Sequence, residues 1–531
     1  MEKSSESLFV ELTLLPEQVG NDEAMVSRLQ QQLGKDLPQP LYYRVLRKSL
    51  DARKKPIVFR LRVEVASKPF LSVPKPKAPK INDSEAAIVV GCGPAGLFAA
   101  LELLRNGIKP IVLERGKPVR ERRRDLVRIP RERFVDPESN YCFGEGGAGT
   151  FSDGKLYTRS KKRGDIHFVL NTLVEHGARE DILVEAHPHI GTNKLPDIVQ
   201  SIREYIIHSG GEVRFEHRVE GLILDQQRIQ GVHTNHGDFF TPHVILATGH
   251  SARDVFEFLN HQAVHIESKP FALGVRIEHQ QNLIDRIQYR CADRGAFLPP
   301  ASYSLVHQVN GRGVFSFCMC PGGIIAPAMT ASDEVVVNGW SPSKRNGQFA
   351  NSGFVVQVEP RDWKKFENDG ALAAVRFQSE IEQTAFKAAG SDLSAPAQRA
   401  SDLMKRRTST SLPDCSYMAG VRSVDLREVL PPDFIDRIAG ALHHFNKRMP
   451  GYGGHDALLV GVESRTSSPI RIPRDRETLE HPDISGFYPC GEGAGYAGGI
   501  MSAALDGIAC ANRVAISLGK LPSTLNQTEQ R

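Results

Sequence analysis

Short apolar runs alternate with amphipathic stretches along most of this chain, which is the pattern of an α/β protein. The run 86–90, Ala-Ala-Ile-Val-Val, is too short and too β-branched for an independent helix and predicts a buried strand. A helical pattern follows over 95–106 and closes at Gly107, and a second apolar strand is expected over 110–113. Together these segments predict one β–α–β unit of a parallel sheet.

The same patterns predict three other regions. Residues 1–67 are expected to form a small βαββ module, because three strand-like runs surround one helix that opens at Asn21 and closes at Gly34. An α/β pattern returns over 190–260, and the block 265–480 is richer in alternating strands. The predicted divisions are an N-terminal module at 1–67, a Pro- and Lys-rich linker at 68–83, a discontinuous nucleotide-binding domain at 84–264 and 481–521, an inserted α+β substrate domain at 265–480, and a flexible tail at 522–531.

A glycine pattern joins the first predicted strand to its helix. Gly91 permits a tight turn, Gly93 lets the backbone approach a pyrophosphate, and Gly96 lets helix and strand pack closely. Glu114 ends the next strand and is placed to accept bonds from ribose hydroxyls. The pattern predicts a dinucleotide site, with a Gly-rich packing turn as the alternative. The predicted contacts are Gly91, Gly93, Pro94, Ala95, Gly96, Glu114 and Arg115.

A second acid-and-helix pattern lies near the other end of the chain. Gly491 and Glu492 follow a short strand, and Gly498-Gly499-Ile500 begins a helix that runs to Leu518. The acid can bind ribityl hydroxyls, and the helix N-terminus can stabilise negative charge on a reduced flavin. Because NAD binding does not need this second site, the two ends together favour FAD over NAD.

The loop over 143–155 contains another GxGxxG pattern, yet no adequate strand precedes it. We therefore expect a backbone-rich loop, including Gly147 and Ala148, that lies flat against a ring. Lys155 is a candidate for stabilising anionic reduced flavin, and the alternative is a surface lysine. The turn Ala247-Thr248-Gly249 is expected to lie against the same cofactor.

Two features of the inserted block each allow two chemical interpretations. Cys318 and Cys320 would share one face of a continuous strand, as a redox dithiol or, as we favour, as buried cysteines. Arg465 is a candidate for orienting an anionic substrate group, or else it forms a structural ion pair with Glu463.

Composition limits the remaining choices. The 531 residues include eight scattered cysteines with no CxxC pair and no zinc spacing, which predicts reduced thiols in a cytoplasm and no metal site. Neither a secretory signal nor a membrane-length apolar run is evident. Residues 44–80 carry twelve Lys or Arg against two acids. This run suggests a nucleic acid or acidic partner, or a solvated sheet face, which we favour.

Four longer motifs resemble a family of FAD-dependent dehydrogenases of unknown substrate, which belongs to the single-Rossmann, glutathione-reductase-type fold group. They are FGEGGAGTFSDGKL at 143–156, ATGHSARD at 247–254, GVESRTSSP at 461–469 and CGEGAGYAGGI at 490–500. The resemblance implies a Rossmann-type FAD-binding domain, non-covalent FAD, a backbone contact from Val219 to adenine, and contacts from Gly491 and Glu492 to the ribityl and diphosphate groups. No second Rossmann unit is visible, so NAD(P)H would bind only transiently.

The sequence therefore predicts an FAD-dependent oxidoreductase that transfers hydride between flavin N5 and a small, potentially anionic, organic substrate. The alternatives are a flavin-dependent tRNA- or RNA-modifying enzyme, a non-catalytic flavoprotein scaffold or sensor, and a monooxygenase.

Overall fold

The computed structural model describes residues 7–70, 81, 85–158 and 164–521. Most of the predicted linker, the basic residues Lys75, Lys77 and Lys80, and the whole predicted tail at 522–531 lie outside these residues.

The N-terminal module has the predicted βαββ order. Strands β1 (Leu8–Leu14), β2 (Tyr42–Asp51) and β3 (Val58–Ala66) form an antiparallel sheet in the order β1-β3-β2, and helix α1 (Asp22–Leu33) follows β1. The alternate residues Val10, Leu12 and Leu14 of β1 are buried, and they pack with Met25 and Leu29 of α1. Alternation on the strand and helical spacing on α1 thus give the module its own small core.

Acidic neighbours pair with part of the basic run in this module. Asp51 pairs with Arg53 and Arg60, and Glu64 pairs with Arg44. A nucleic-acid surface in this region stays a prediction. Lys48 instead reaches Glu185 at 3.1 Å, and the backbone of β2 bonds to residues 184–186. These bonds join the module to the rest of the chain.

The centre of the next region is a parallel sheet that combines strands from residues 86–246 with one strand from residues 487–489. It contains β4 (Ala86–Val90), β5 (Lys109–Leu113), β6 (Glu212–Arg214), β10 (Val244–Leu246) and β21 (Phe487–Pro489) in the order β21-β10-β4-β5-β6. Helix α2 (Pro94–Arg105) follows β4, and α11 (Ile500–Ser517) follows β21. The two helices pack closely because Gly507 has no side chain, since a Cβ there would lie 2.0 Å from the Ala95 carbonyl oxygen.

The remaining elements of this region surround the parallel sheet. Strands β7 (Val219–Asp225), β8 (Arg228–Thr234) and β9 (Gly237–Phe240) form an antiparallel meander. The other helices here are α3 (Val119–Glu132), α4 (Ile166–Glu175), α5 (Leu195–His208) and α6 (Arg253–His261).

A second, mostly antiparallel sheet occupies residues 271–463. Its strands are β12 (Phe271–Gln280), β13 (Val306–Val309), β14 (Arg312–Pro327), β15 (Val337–Trp340), β16 (Phe349–Val358), β17 (Ala395–Arg399), β18 (Val421–Ser423) and β19 (Leu458–Glu463). The helices that accompany it are α7 (Gln281–Tyr289), α8 (Ala373–Ala388), α9 (Ala400–Met404) and α10 (Pro432–Arg448). A short pair, β11 (Glu267–Ser268) and β20 (Ile470–Arg471), lies where the chain enters and leaves this region.

Strand β14 is longer than the sequence pattern indicates, with 16 residues, and it is irregular. Its register against β16 shifts between Phe317 and Cys320. The predicted placement of Cys318 and Cys320 on one face assumed regular alternation. The register shift interrupts that alternation at this point. Within the described part of the chain, no helix combines the length and apolar character needed to cross a membrane.

Candidate cofactor cavity

A cavity of about 400 Å³ lies at the carboxyl ends of β4, β5 and β10. Val90, Leu113 and Ala247 come from the parallel sheet, and Phe317 and Asn338 come from the second sheet. Open α/β sheets bind ligands outside the carboxyl ends of their strands, and this cavity is in that position.

Most of the residues predicted for cofactor binding line this one cavity. They are Gly91, Gly93, Pro94, Ala95, Glu114, Arg115, Gly147, Ala148, Val219, Ala247, Thr248, Gly249, Glu492, Gly498, Gly499 and Ile500, and Lys155 and Arg465 line it as well. Gly96 and Gly491 do not. The fold thus brings together segments that are far apart in sequence.

The three glycines of the first turn have different physical roles. A Cβ on Gly91, which has φ +102°, would lie 2.5 Å from the carbonyl oxygen of Ala247, and one on Gly96 would lie 1.9 Å from the carbonyl oxygen of Gly91. A Cβ on Gly93 would find its nearest neighbour at 3.8 Å. Gly91 and Gly96 are therefore required by the protein's own packing. Gly93 leaves open space beside the cavity.

Two helices begin at the cavity wall. Gly93 precedes α2 and Gly499 precedes α11, and a glycine at this position has no side chain that could cap the helix. The N–H groups of a helix's first turn have no partner inside the helix, and the helix dipole adds partial positive charge there. Both helix ends can therefore receive an anionic group from the cavity.

Glu114 bonds first to the protein backbone. Its carboxylate accepts hydrogen bonds from the N–H groups of Cys92 at 2.8 Å and of Gly116 and Gly144 at 2.9 Å each. A carboxylate has about four acceptor positions, so about one is left for a ribose hydroxyl. Glu114 also holds the glycine turn, the end of β5 and the loop before Gly147 together.

Gly491, predicted to contact the ribityl and diphosphate groups, lies behind the cavity wall. Its N–H donates to the carboxylate of Asp506 at 2.7 Å, and Arg474 donates two hydrogen bonds to the same carboxylate. The N–H therefore serves the junction of β21 and α11, and a contact of Gly491 with the cofactor stays a prediction. Cys490 and Cys510 lie beside Asp506 in a group compact enough for a metal ion, but Arg474 neutralises that carboxylate.

Arg465 is ion-paired, but not with Glu463. Its guanidinium donates to Glu382 at 2.9 Å and to Glu334, and Arg253 contacts the same two carboxylates. All four groups form one charge-balanced network. Burial alone would raise the pKa of Glu382, but Arg253 and Arg465 lower it to about 2. The predicted pairing of Arg465 with Glu463 is wrong, and four of its five N–H groups are already used inside the protein.

The carboxylate of Glu463 pairs instead with Arg276, at 2.9 Å. Arg276 is fully buried and also donates to Asn351 and to the carbonyl oxygen of Cys318 at 2.9 and 2.8 Å. This arginine fastens the irregular part of β14 to the strands beside it.

Lys155 lies inside the cavity wall. Its Nζ is 3.6 Å from Sγ of Cys318, donates to the carbonyl oxygen of Met319, and is 3.8 Å from the carboxylate of Asp153. Asp153 is itself held by Arg345 at 2.6 Å. Burial would lower the pKa of Lys155, but Cys318, Cys320 and Asp153 raise it on balance, so the ammonium stays charged.

Matches to family models and to one related protein identify the family. A model described as "FAD binding domain" matches residues 84–238, one described as "FAD-dependent protein, C-terminal domain-like" matches 270–466, and one of a domain of unknown function matches 8–66. An uncharacterized protein of Clostridium beijerinckii is 39% identical over 495 residues, which cover 88% of this chain and 91% of that protein. The chain belongs to this family of FAD-dependent proteins. FAD is its cofactor.

Several solved structures are distantly similar to this flavoprotein. They include CtdE in complex with FAD, at 12% identity over 84% of this chain and 88% of that one, with a TM-score of 0.34. L-proline dehydrogenase from P. horikoshii has 12% identity over 84% and 96%, with a TM-score of 0.33. Glycine oxidase from Geobacillus kaustophilus has 10% identity over 84% and 98%, with a TM-score of 0.36. Similarity at this level assigns no substrate to this flavoprotein.

The residues around the cavity fit FAD. The space beside Gly93 and the N-terminus of α2 suit a diphosphate, and the remaining acceptor position of Glu114 suits a ribose. Glu492 and the N-terminus of α11 border the same cavity.

The sequence-based prediction missed two groups that line this cavity. His250 lies in the cavity wall with Nε2 4.0 Å from a carboxylate oxygen of Glu492. Burial, then Arg465 and Arg253, lower the pKa of His250 to about 4, and burial raises that of Glu492 to about 7. His250 directly follows the Ala-Thr-Gly turn, which was the available signal. The second missed group is Cys318, which lines the cavity although we favoured a buried position.

Proposed function

We propose that this flavoprotein transfers a hydride between FAD and a small organic substrate that binds between the flavin and the second sheet. The observation that carries the proposal is the composition of the cavity wall. One side comes from the parallel sheet and its glycine turns, and the other side includes Phe317, Cys318 and Asn338 of the second sheet. A cofactor held by the first side would present its reactive ring to the second.

FAD supplies the two-electron chemistry when it is bound. The chain's contribution is electrostatic. Lys155 and the N-terminus of α11 bring fixed positive charge to the cavity, and such charge stabilises an anion that forms during reaction. The ammonium is held in place by the carbonyl oxygen of Met319, so little reorganisation is needed.

Lys155 is also the residue that we propose for an anionic group on the substrate. The other cations of the cavity wall, Arg115, Arg218 and Arg465, are each held by two carboxylates. The nearest carboxylate to Lys155, that of Asp153, is engaged more closely by Arg345. Among the Lys and Arg side chains that line the cavity, Lys155 is therefore the one that is not held by two carboxylates. Arg465 is not proposed for this role, because four of its five N–H groups are used inside the protein.

The number of parallel sheets bears on where an electron donor could bind. The described residues form a single five-stranded parallel sheet, and the cavity lies at its carboxyl edge. We propose that NADH or NADPH, if it is the donor, binds transiently in the same cavity and leaves before the substrate enters.

The test is anaerobic reduction of the purified holoprotein, followed by flavin absorbance. Addition of NADH or NADPH, and then of small carboxylic acids and amines as candidate substrates, should bleach the flavin with saturable rates for at least one donor. Photoreduction with deazaflavin shows whether the flavin can be reduced at all. A flavin that photoreduction bleaches but that no organic donor or acceptor affects would contradict the proposal and support a scaffold.

A further inference from the structure

Cys318 and Cys320 sit at the irregular point of β14. Cys318 has φ +45° and is exposed, whereas Cys320 is buried, and the register against β16 shifts between Phe317 and Cys320. A left-handed backbone at a residue other than glycine costs about 1–3 kcal/mol and tends to occur at functional sites. Here it places the Cys318 side chain in the FAD cavity.

Cationic and polar groups surround the exposed thiol. Lys155 Nζ is 3.6 Å from Cys318 Sγ, and Arg276 donates to the carbonyl oxygen of the same residue at 2.8 Å. The thiol of Cys320 donates to that carbonyl oxygen at 3.3 Å. Fixed cations beside a thiol favour its thiolate.

The two thiols have opposite protonation tendencies. The neighbouring Cys320 side chain lowers the pKa of Cys318, and the positive charges of Lys155 and Arg276 lower it further. The pKa of Cys320 is raised by its hydrogen bond to Cys318 and by burial. This division gives one nucleophilic thiolate and one neighbour that retains its proton.

The ordinary explanation for paired cysteines is that they serve as small apolar core residues. That explanation suits Cys490 and Cys510, which are both buried and lie outside the cavity. It does not suit Cys318, which is exposed to the cavity and lies beside an ammonium group.

We propose that Cys318 and Cys320 form a redox-active dithiol that exchanges an electron pair with the bound FAD. In the oxidative direction the Cys318 thiolate and the Cys320 thiol lose two electrons and one proton, and one S–S bond forms between them. FAD is the oxidant, and it takes up both electrons and the proton as the reduced anion. The inference rests on the proposed function, because it needs the flavin to face β14.

The test is an anaerobic dithionite titration of air-oxidised holoprotein, combined with a count of thiols after denaturation. The wild-type protein should take up four electrons per FAD, since flavin and disulfide are each two-electron couples. Cys318→Ser and Cys320→Ser should each take up two. Cys291→Ser, which alters a half-buried cysteine outside the cavity, should still take up four.

The thiol count gives a readout that does not depend on turnover. Of eight cysteines, the air-oxidised holoprotein should retain six free thiols. Mass spectrometry should find a peptide with an internal disulfide between residues 318 and 320. FAD-free protein handled in the same way should retain all eight. Two electrons per FAD together with eight thiols in the oxidised holoprotein would overturn the dithiol. The proposed hydride transfer would stand in that case, because flavin reduction would still be observed.

Discussion

Nζ of Lys155 and Sγ of Cys318 lie 3.6 Å apart although 163 positions separate them in the sequence. One comes from the glycine-rich loop beside the parallel sheet, and the other from the irregular strand of the second sheet. Through this contact, a reactive group beside the parallel sheet meets a reactive group of the second sheet.

The glycine turn gives a prediction that separates packing from cofactor binding. Gly96→Ala should destabilise the FAD-free protein by about 3 kcal/mol or more, because its Cβ would lie 1.9 Å from a backbone oxygen. Gly93→Ala has room, with its nearest neighbour at 3.8 Å, and should leave the melting temperature of the FAD-free protein unchanged. It should weaken FAD binding by about tenfold or more, which is about 1.4 kcal/mol. Thermal melting and fluorescence titration with FAD measure the two effects, and unchanged FAD affinity in Gly93→Ala would contradict the placement of the diphosphate.

The Arg465 network gives a prediction about stability. Arg465→Met leaves two buried carboxylates with one arginine, which should cost about 3–5 kcal/mol in unfolding free energy. Arg361→Met removes an exposed ion pair with Glu359 and should cost at most about 1 kcal/mol. Urea unfolding compares the two variants. If Arg465→Met were as stable as the wild type and only the Michaelis constant rose, Arg465 would be a substrate-binding residue after all.

Glu492 gives a prediction about pH. Burial raises its pKa from 4.5 to about 7, so the folded FAD-free protein binds a proton that the unfolded chain has already lost. The stability that this proton contributes is complete below about pH 4.5 and is lost as the pH rises through 7. Glu492→Gln should remove about 1–3 kcal/mol of this pH dependence. Melting temperatures between pH 4.5 and 8 measure it, with the exposed Glu367→Gln as the control. Parallel curves for wild type and Glu492→Gln would refute the assigned pKa.

The fold of the cofactor-binding region could be predicted from the sequence because its characteristic motifs are short and continuous. The turn from Gly91 to Gly96 and the strand that ends at Glu114 need only neighbouring residues to be recognised, and β4 and β21 both flank β10 as two FAD-binding ends require. The βαββ module was predicted for the same reason.

Long-range pairing and strand irregularity could not be predicted in this way. The partners of Arg465 lie 131 and 83 positions away, at Glu334 and Glu382, whereas Glu463 was only the nearest acid in sequence. Period-two alternation assigned Cys318 and Cys320 to one face, but the register shift in β14 makes one exposed and one buried. Only the assembled sheet reveals that shift.

The most direct measurement of the central claim is the flavin reduction potential of Lys155→Met, determined by anaerobic spectroelectrochemical titration. Removal of a fixed positive charge beside the anionic reduced flavin should lower the potential by about 20–60 mV, since about 30 mV corresponds to 1.4 kcal/mol for a two-electron couple. Lys364→Met, at an exposed position outside the cavity, should leave the potential unchanged. A Lys155→Met protein that binds FAD normally and has the wild-type potential would contradict the placement of the flavin beside Lys155.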